Sequence, residues 1–303
     1  EFYSAVIREI LANPEAYGRS EYGRDEKVMV EFVSANPTGP MHMGNARGGA
    51  LGDCLAAVLD KAGYNAWREF YVNDAGNQIE KFGCSLEARY LQIFKGDEIE
   101  FPEDGYQGED IKDLAKEYAD LNGDSLVNVS AEERKKALVD YALPKNIKKM
   151  QADMEKYKIF YDKWFFESEL HKSGAVKAVV DLLTKKGLTY EKDGAVWYKN
   201  KEVLTQKLLK EGKSQKYIDN LELKDDVLIR QNGNPTYFTA DIAYHKNKFD
   251  RGFTTLIDVW GADHHGHVMR MKGAMDAIGY DGDKLNVVLM QLVKLVKDGE
   301  LVR

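Results

Sequence analysis

The residues best suited to chemistry lie early in the chain, in the run His42-Met-Gly44-Asn45, which follows an apolar stretch (27–34) and a turn-rich segment (36–40). The first turn of a helix offers unpaired N–H groups and a partial positive charge, which suits a phosphate group. Gly44 would let a phosphate approach the backbone, His42 can donate a hydrogen bond to it, and Asn45 adds a neutral donor. The pattern indicates a nucleotide whose phosphate gains charge during a reaction. An ordinary turn remains the alternative for so short a motif.

The elements that must position this motif form a βαβ unit. Segment 27–34 is rich in β-branched and aromatic residues, a helix is predicted from Gly44 to a stop at Gly63, and segment 65–73 predicts a second strand. Such a unit implies parallel strands, with a ligand at their carboxyl ends. The predicted buried stripe of the helix consists of Ala46, Ala50, Leu51, Cys54, Leu55, Val58 and Leu59.

The rest of the chain predicts helices followed by a return of the strand–helix rhythm. Segments 76–120 and 131–160 have helical periodicity, with Ser130 and Glu133 as a capping box, and a hairpin turns at Asp193-Gly194. Further strands or helices are predicted at 226–230, 237–249, 254–261 and 286–296. The predicted fold class is α/β, a Rossmann-like parallel sheet with a His-x-Gly nucleotide-binding turn, interrupted by a largely helical insertion. The predicted units are a linker helix (1–26), a first Rossmann half (27–75), the insertion (76–165) and a second Rossmann half (166–303).

Composition describes an ordinary globular protein. The 303 residues are 44% hydrophobic and 31% charged, and the net charge of −7 argues against a dedicated nucleic-acid module, which would usually be basic. Cys54 and Cys84 lack metal-type spacing and are predicted to be buried free thiols of a reducing compartment. No run is long and apolar enough to span a bilayer, so we expect a cytoplasmic protein without a membrane partner.

Five ordered blocks carry a family resemblance. The stretch VEFVSANPTGPMHMGNARGGALGD (30–53) closely resembles the region around the His-Ile-Gly-His motif of bacterial-type arginyl-tRNA synthetases, which are class I enzymes on a Rossmann fold. The further blocks that are similar to this family, in the same order, lie at 68–83, 237–249, 258–280 and 286–303. The resemblance covers essentially the whole chain.

The resemblance implies ATP-dependent activation of L-arginine and its transfer to tRNA(Arg). ATP would enter with Mg²⁺, no protein-bound metal is expected, and the implied state is a monomer. The implied catalytic residues are His42, Gly44 and Asn45, and the implied ATP-binding residues are His42, Gly44, Asn45, Gly261 and Asp263.

The resemblance also implies an arginine site. In the family, an aspartate and a tyrosine four residues before it contact the guanidinium, and these match Asp241 and Tyr237. The implied arginine-binding residues are Ser34, Asn36, Glu167, Tyr237, Asp241 and His264. Carboxylates suit this task because a guanidinium is a planar fork of donors that a carboxylate meets with two hydrogen bonds.

The chain departs from the family pattern in three respects. Asn45 stands where the motif has its second histidine, which leaves a hydrogen-bond donor but no imidazolium. The chain ends at Arg303, where the Lys-Met-Ser-Lys-Ser motif should begin, and the family's N-terminal tRNA-binding and C-terminal anticodon-binding domains are absent. Gly39 and Pro40 occupy the positions where some relatives place a substitute lysine. We therefore expect a catalytic core that binds arginine and forms adenylate poorly.

Three other interpretations stay open. A small-molecule nucleotidyltransferase could share the His-x-Gly turn, and a synthetase-derived binding protein could naturally lack the second motif. His264, His265 and His267 invite a zinc site, but their spacing suits no common tetrahedral framework, so the prediction for metal ligands is none.

Overall fold

A computed structural model describes residues 1–262, 265–291, 293 and 295–302 of the chain. The strands are β1 (Lys27–Glu31), β2 (Asn65–Val72), β3 (Lys163–Phe166), β4 (Thr189–Lys192), β5 (Ala195–Tyr198), β6 (Asp226–Ile229), β7 (Thr255–Gly261), β8 (Leu285–Met290), β9 (Leu295–Lys297) and β10 (Glu300–Val302). The helices are α1 (Phe2–Ala12), α2 (Met43–Lys61), α3 (Asn77–Lys95), α4 (Glu109–Asn122), α5 (Ala131–Lys156), α6 (Glu167–Lys172), α7 (Ala175–Lys185), α8 (Asn200–Lys210), α9 (Gln215–Asp219), α10 (Tyr237–Asp250) and α11 (His265–Ile278), with short 3₁₀ turns at Gly96–Glu98 and Gly282–Lys284.

A five-stranded parallel sheet forms the centre of the fold. Its strand order is β3-β2-β1-β7-β8, and Val30 of β1 lies between Arg68 of β2 and Ile257 of β7. The order runs outward from β1 in both directions, which places the topological switch point between β1 and β7. The predicted fold class is confirmed. Strand β3, at the edge of the sheet, was not predicted.

The predicted strand at 226–230 belongs to a different sheet from the one expected. Strand β6 pairs antiparallel with β5, which forms a hairpin with β4, so the three strands make a separate antiparallel sheet. Leu228 is the buried residue of β6, a half-buried pattern typical of an antiparallel sheet rather than of a parallel strand covered on both faces. The predicted turn of the hairpin is confirmed, with Asp193 and Gly194 at φ of 52° and 72°.

Helix α2 contacts the sheet through glycines rather than through the predicted apolar stripe. A Cβ on Gly52 would lie 2.1 Å from the Cγ atom of Phe32, so a side chain there would push the helix away from the sheet. This close approach turns Ala50, Leu51, Cys54 and Val58 to the surface. The predicted stripe was wrong for these four residues, and the prediction of buried thiols was wrong for the exposed Cys54 and for Cys84, which is only partly buried. The face that is buried instead consists of Gly44, Gly48, Gly49, Gly52 and Ala56.

Helices α3, α4 and α5 form a helical body with a core of its own. Its buried residues include Phe82, Leu86, Tyr90, Ile111 and Leu138. The Ser130 half of the capping box predicted for α5 is present, because the Ser130 hydroxyl accepts from the Glu133 N–H at 3.2 Å. Of the helices in the described part of the chain, none is long and apolar enough to cross a membrane.

Candidate functional site

The loop that leaves β1 has an unusual backbone. Val33 and Ser34 adopt φ of 70° and 41°, a left-handed region that disfavours β-branched residues, and the strand therefore ends at Glu31 instead of at the predicted residue 34. The Ser34 hydroxyl donates to Glu31 Oε1 at 2.8 Å and accepts from the Tyr71 N–H at 3.1 Å. These bonds fix the turn that leads to the exposed Asn36 at the carboxyl end of the sheet.

The predicted phosphate-binding turn caps its own helix. His42 is the N-cap of α2, and its Nδ1 accepts from the Gly44 N–H at 3.1 Å, while Asn45 Oδ1 accepts from the His42 N–H at 2.9 Å. Because Nδ1 accepts, the proton of a neutral His42 ring is on Nε2, which is left to donate to a ligand. The Asn45 amide NH₂ is a second donor at the same helix end. The Gly44 N–H, in contrast, is used within the chain.

A cavity of about 470 Å³ opens between the start of α3, helix α6 and the loop before α10. Glu167, at the end of β3, is 4% exposed and lines this cavity. Its Oε2 accepts from the Tyr71 hydroxyl at 2.9 Å, and its Oε1 lies 3.2 Å from His171 Nε2. Burial raises the pKa of the Glu167 carboxyl above its ordinary value, against the effect of these two partners. The cavity is lined by Ala75, Gly76, Asn77, Glu80, Glu167, His171, Arg230, Asn234, Pro235, Thr236, Tyr237 and Ala240.

Helix α10 brings two further predicted residues to this region. Tyr237 lines the cavity, and Asp241, one turn later, lies on the same side of the helix. The Asp241 charge contributes to the raised pKa of Glu167, so the two carboxylates are near enough to repel each other. Asp241 Oδ2 is 3.0 Å from His267 Nε2. A buried acid in the lining of the cavity, with a second acid close to it, suits a ligand that carries a positive charge.

A buried ionic cluster lies beneath the site and joins α10 to the sheet. Lys248 is fully buried and donates to Glu31 Oε2 and, at 2.8 Å, to Asp258 Oδ1. His245 Nε2 lies 2.7 Å from Asp258 Oδ2, and its Nδ1 lies 2.7 Å from the Asp241 carbonyl oxygen. This ionic cluster therefore links the backbone of Asp241 to the start of the Ser34 turn.

The pKa values in the ionic cluster follow from its charges. Burial raises the pKa of Glu31 above its ordinary value. Burial also acts to raise the pKa of Asp258, but the charges of Lys248 and His245 outweigh it and lower this pKa to about 2. For Lys248, the two carboxylates overcome the effect of burial, and its pKa is raised.

The remaining predicted site residues follow β7. Gly261 ends this strand three residues beyond Asp258, which pairs with Glu31 at the end of β1, so Gly261 lies at the carboxyl edge of the sheet near the switch point. Asp263 and His264 lie outside the described residues. Among the residues that the structure does describe, no group of three or more His, Cys, Asp and Glu side chains is arranged to hold a metal ion.

Sequence reasoning did not assign three residues that contact the predicted acids, or a fourth that contacts one of these three. Tyr71 and His171 hold Glu167, whereas His267 holds Asp241 and is itself contacted by Arg270. The spacing of Glu167 and His171, four residues apart on a helix, was a readable signal. The contact between Asp241 and His267 joins two helices, so no spacing along the chain could indicate it.

A family model and close relatives match nearly the whole chain. Residues 6–301 match the model described as "tRNA synthetases class I (R), catalytic domain". The chain is 58% identical over 300 residues to an arginine–tRNA ligase of Ruminiclostridium cellulolyticum, covering 98% of the chain and 50% of the relative. It is 59% identical over 303 residues to an arginine–tRNA ligase of Caldanaerobacter subterraneus subsp. tengcongensis, covering 100% of the chain and 51% of the relative. The chain thus spans about half the length of these curated relatives.

Solved structures agree with the architecture. A Campylobacter jejuni protein assigned as an arginyl-tRNA synthetase is 37% identical and superposes with a TM-score of 0.83, over 100% of the chain and 62% of that protein. The arginyl-tRNA synthetase of Thermus thermophilus is 20% identical with a TM-score of 0.63, over 92% of the chain and 51% of that protein, and this likeness concerns the fold alone.

Proposed function

The chain belongs to the family of class I (R) tRNA synthetase catalytic domains, and from this premise we propose that it binds L-arginine and ATP as the catalytic core of an arginine–tRNA ligase. The observation that carries the proposal is Glu167, buried in the lining of the cavity, with the charge of Asp241 on a second helix close enough to help raise its pKa. Alternative nucleotidyltransferases need no acidic pocket for a guanidinium. The proposed setting is the cytoplasm and the proposed state a monomer.

The two acids would recognise the arginine side chain. Asp241 would take the guanidinium in a bidentate pair, with Tyr237 beside it and Glu167 as the second carboxylate. At the other end of the substrate, the Ser34–Asn36 segment would hold the ammonium, and we propose that His264 reaches the substrate as well. A neutral analogue such as citrulline would leave the buried Glu167 carboxylate without a cationic partner, which disfavours its binding.

The switch point would hold ATP. His42 Nε2–H and the Asn45 amide would donate to the α-phosphate, with Gly44 at the close approach and Gly261 and Asp263 beside the ribose or adenine. ATP would arrive as its Mg²⁺ complex. The Mg²⁺ ion would thus belong to the substrate and not to the protein.

The reaction would proceed in two steps. An arginine carboxylate oxygen attacks the α-phosphorus, the bond to the bridging oxygen breaks, and pyrophosphate leaves with its electron pair, giving arginyl-adenylate. The 2′-hydroxyl of the terminal tRNA(Arg) ribose then attacks the acyl carbon, and AMP leaves. The chain would contribute positioning and stabilisation of the charge that develops on the phosphate oxygens, which are the main devices of such transfers.

Calorimetric titration with L-arginine, L-lysine and L-citrulline tests the proposal. We expect the chain to bind arginine and to discriminate against citrulline by at least about 100-fold, since an unpaired buried charge costs several kcal/mol. Asp241→Asn should remove the arginine signal. Asp250→Asn is the matched control because Asp250 lies on the same helix and pairs with Lys246 at its surface.

Each other outcome has a definite meaning. If arginine does not bind while ATP does, the proposed arginine site is wrong. Equal affinity for arginine and citrulline would contradict the role of the two acids. Normal arginine binding by Asp241→Asn would place the guanidinium elsewhere in the cavity.

A further inference from the structure

His267 lies between the Asp241 carboxylate and a second charged pair. Its Nε2 is 3.0 Å from Asp241 Oδ2, its Nδ1 is 3.1 Å from Arg270 Nη2, and its side chain is 14% exposed. The rings of Phe238 and Trp260 flank the imidazole, with centroids at 5.6 and 5.4 Å. Polar contacts therefore fix both nitrogens of the His267 ring, and the two aromatic rings pack against it.

The partners determine where the proton of His267 is. A guanidinium has donors and no acceptor, so Arg270 can donate to Nδ1 only when that nitrogen carries no proton. The remaining proton is then on Nε2, which donates to Asp241. His267 is thus a neutral ring in this arrangement, and Asp241 accepts from it without forming an ion pair.

Arg270 does not bring an unbalanced charge to the site. Its Nη1 lies 2.6 Å from Asp226 Oδ1, on β6. Asp226 thereby balances the guanidinium of Arg270. The negative charges of Asp241 and Glu167 stay available to a cationic ligand.

We propose that His267 and Arg270 are positioning residues for arginine recognition: Arg270 keeps His267 neutral, and neutral His267 orients Asp241 without competing for its charge. The inference rests on the proposed function, in which Asp241 binds the guanidinium of the substrate. A protonated His267 would form an ion pair with Asp241 and oppose the substrate. The charged or titratable groups around His267 in the described chain are Asp241, Arg270 and Asp226, with Glu167 acting through Asp241.

Arginine affinity at pH 7.5 is the first test. We expect His267→Ala to weaken binding about tenfold, the effect of losing one hydrogen bond to a charged group. His267→Gln should recover most of this loss because its amide NH₂ can replace Nε2–H. Equal losses in the two variants would mean that the ring matters for packing alone and would overturn the proposal.

The pH profile of arginine binding is the second test. Arg270→Met removes the donor to Nδ1, so both ring nitrogens of His267 can then carry a proton. Relative to the unaltered chain, we expect the affinity of Arg270→Met to fall about tenfold between pH 8 and pH 5.5. The double variant His267→Gln/Arg270→Met should lose this extra pH dependence. Since Glu167 is present in all of these proteins, its own titration cancels in the comparison.

Nitrogen NMR of the histidine rings is a third test, and it does not depend on whether the Arg270 variant folds. The signal of His267 is the one that is absent from the spectrum of His267→Gln, and at pH 7 it should show an unprotonated Nδ1. A protonated Nδ1 would overturn the proposal. The two ideas fail separately: absence of arginine binding by the unaltered chain contradicts the proposed function, whereas arginine binding that needs Asp241 but is unchanged in His267→Ala contradicts the positioning role alone.

Discussion

Burial of the Glu167 carboxylate lowers the stability of the protein when no ligand is bound. Tyr71 and His171 bond to it, but burial still raises its pKa above the ordinary value. A raised pKa means that the folded chain holds this proton more tightly than the unfolded chain does. The free energy of unfolding therefore decreases as the pH rises from about 4.5 through the folded-state pKa. Such a decrease in stability with pH is typical of a binding site whose buried carboxylate gains a cationic partner only when the ligand binds.

Glu167→Gln should therefore separate stability from binding. At pH 7.5 we expect a higher melting temperature and a flatter dependence of stability on pH, because the amide carries no charge to bury. Arginine affinity should fall roughly 10- to 100-fold with the loss of a charge-assisted bond. Thermal unfolding and calorimetry measure the two effects. Glu169→Gln, an exposed neighbour on α6 that pairs with Lys163, should change neither, and a less stable Glu167→Gln would show that the carboxylate stabilises the fold.

Single residues were predictable where their chemistry is local. His42 and Asn45 were identified because a helix start after a strand is a short-range pattern, although their mutual capping was not foreseen. Positive φ at Val33 was not predictable, because the sequence shows an apolar run and the backbone reverses only where Ser34 bonds to Glu31. Assignments to the arginine site stay predictions that the binding experiments test.

At the scale of elements, α10 connects the site to the sheet. Tyr237, Asp241 and Lys248 follow one another along one side of this helix, where Tyr237 lines the cavity and Lys248 donates to Glu31 and Asp258. Arg251, just after the helix, makes a bidentate pair with Glu69 of β2 at 2.6 and 2.7 Å. The helix is thereby fixed to both β1 and β2, which keeps Asp241 in place relative to the Ser34 turn.

Lys248→Met should destabilise the chain strongly. The substitution leaves Glu31 and Asp258 buried without their shared cation, and breaking a buried ion pair in this way costs about 3–5 kcal/mol. Urea unfolding at pH 7 measures the loss. The matched control is Lys246→Met, two residues earlier on α10, where a surface pair with Asp250 is worth less than about 1 kcal/mol. Equal stability of the two variants would mean that the two carboxylates are protonated and need no cation.

Strong periodicity along the sequence predicted individual helices and strands. It did not predict which strands pair with each other or which face of a helix packs on the sheet. Strands β1, β2 and β7 and helices α3 and α5 were predicted because their patterns are long. The pairing of β6 with β5 depends on the open edge of a hairpin, which is a tertiary feature. The glycine face of α2 escaped prediction because hydrophobic residues were taken to mark the buried side, and here close packing on Phe32 decides it.

At the scale of the whole molecule, the cavity joins parts of the chain that are far apart in sequence. The start of α3 supplies Asn77, α6 supplies Glu167, and the loop and first turn of α10 supply residues 230–240. Helix α3 also belongs to the helical body with its own core. A ligand in the cavity would therefore connect this helical body to the parallel sheet.

Amide hydrogen exchange should reveal this connection. With L-arginine at 100 times its dissociation constant, local opening at the cavity should become up to about 100-fold less frequent. We expect slower exchange in segments 75–80, 167–171 and 230–241. Helix α1, which buries none of its residues, should be unchanged, and citrulline is the matched control ligand. Slower exchange in 230–241 without any effect in 75–80 would mean that the ligand binds α10 alone and that the helical body does not close the arginine site.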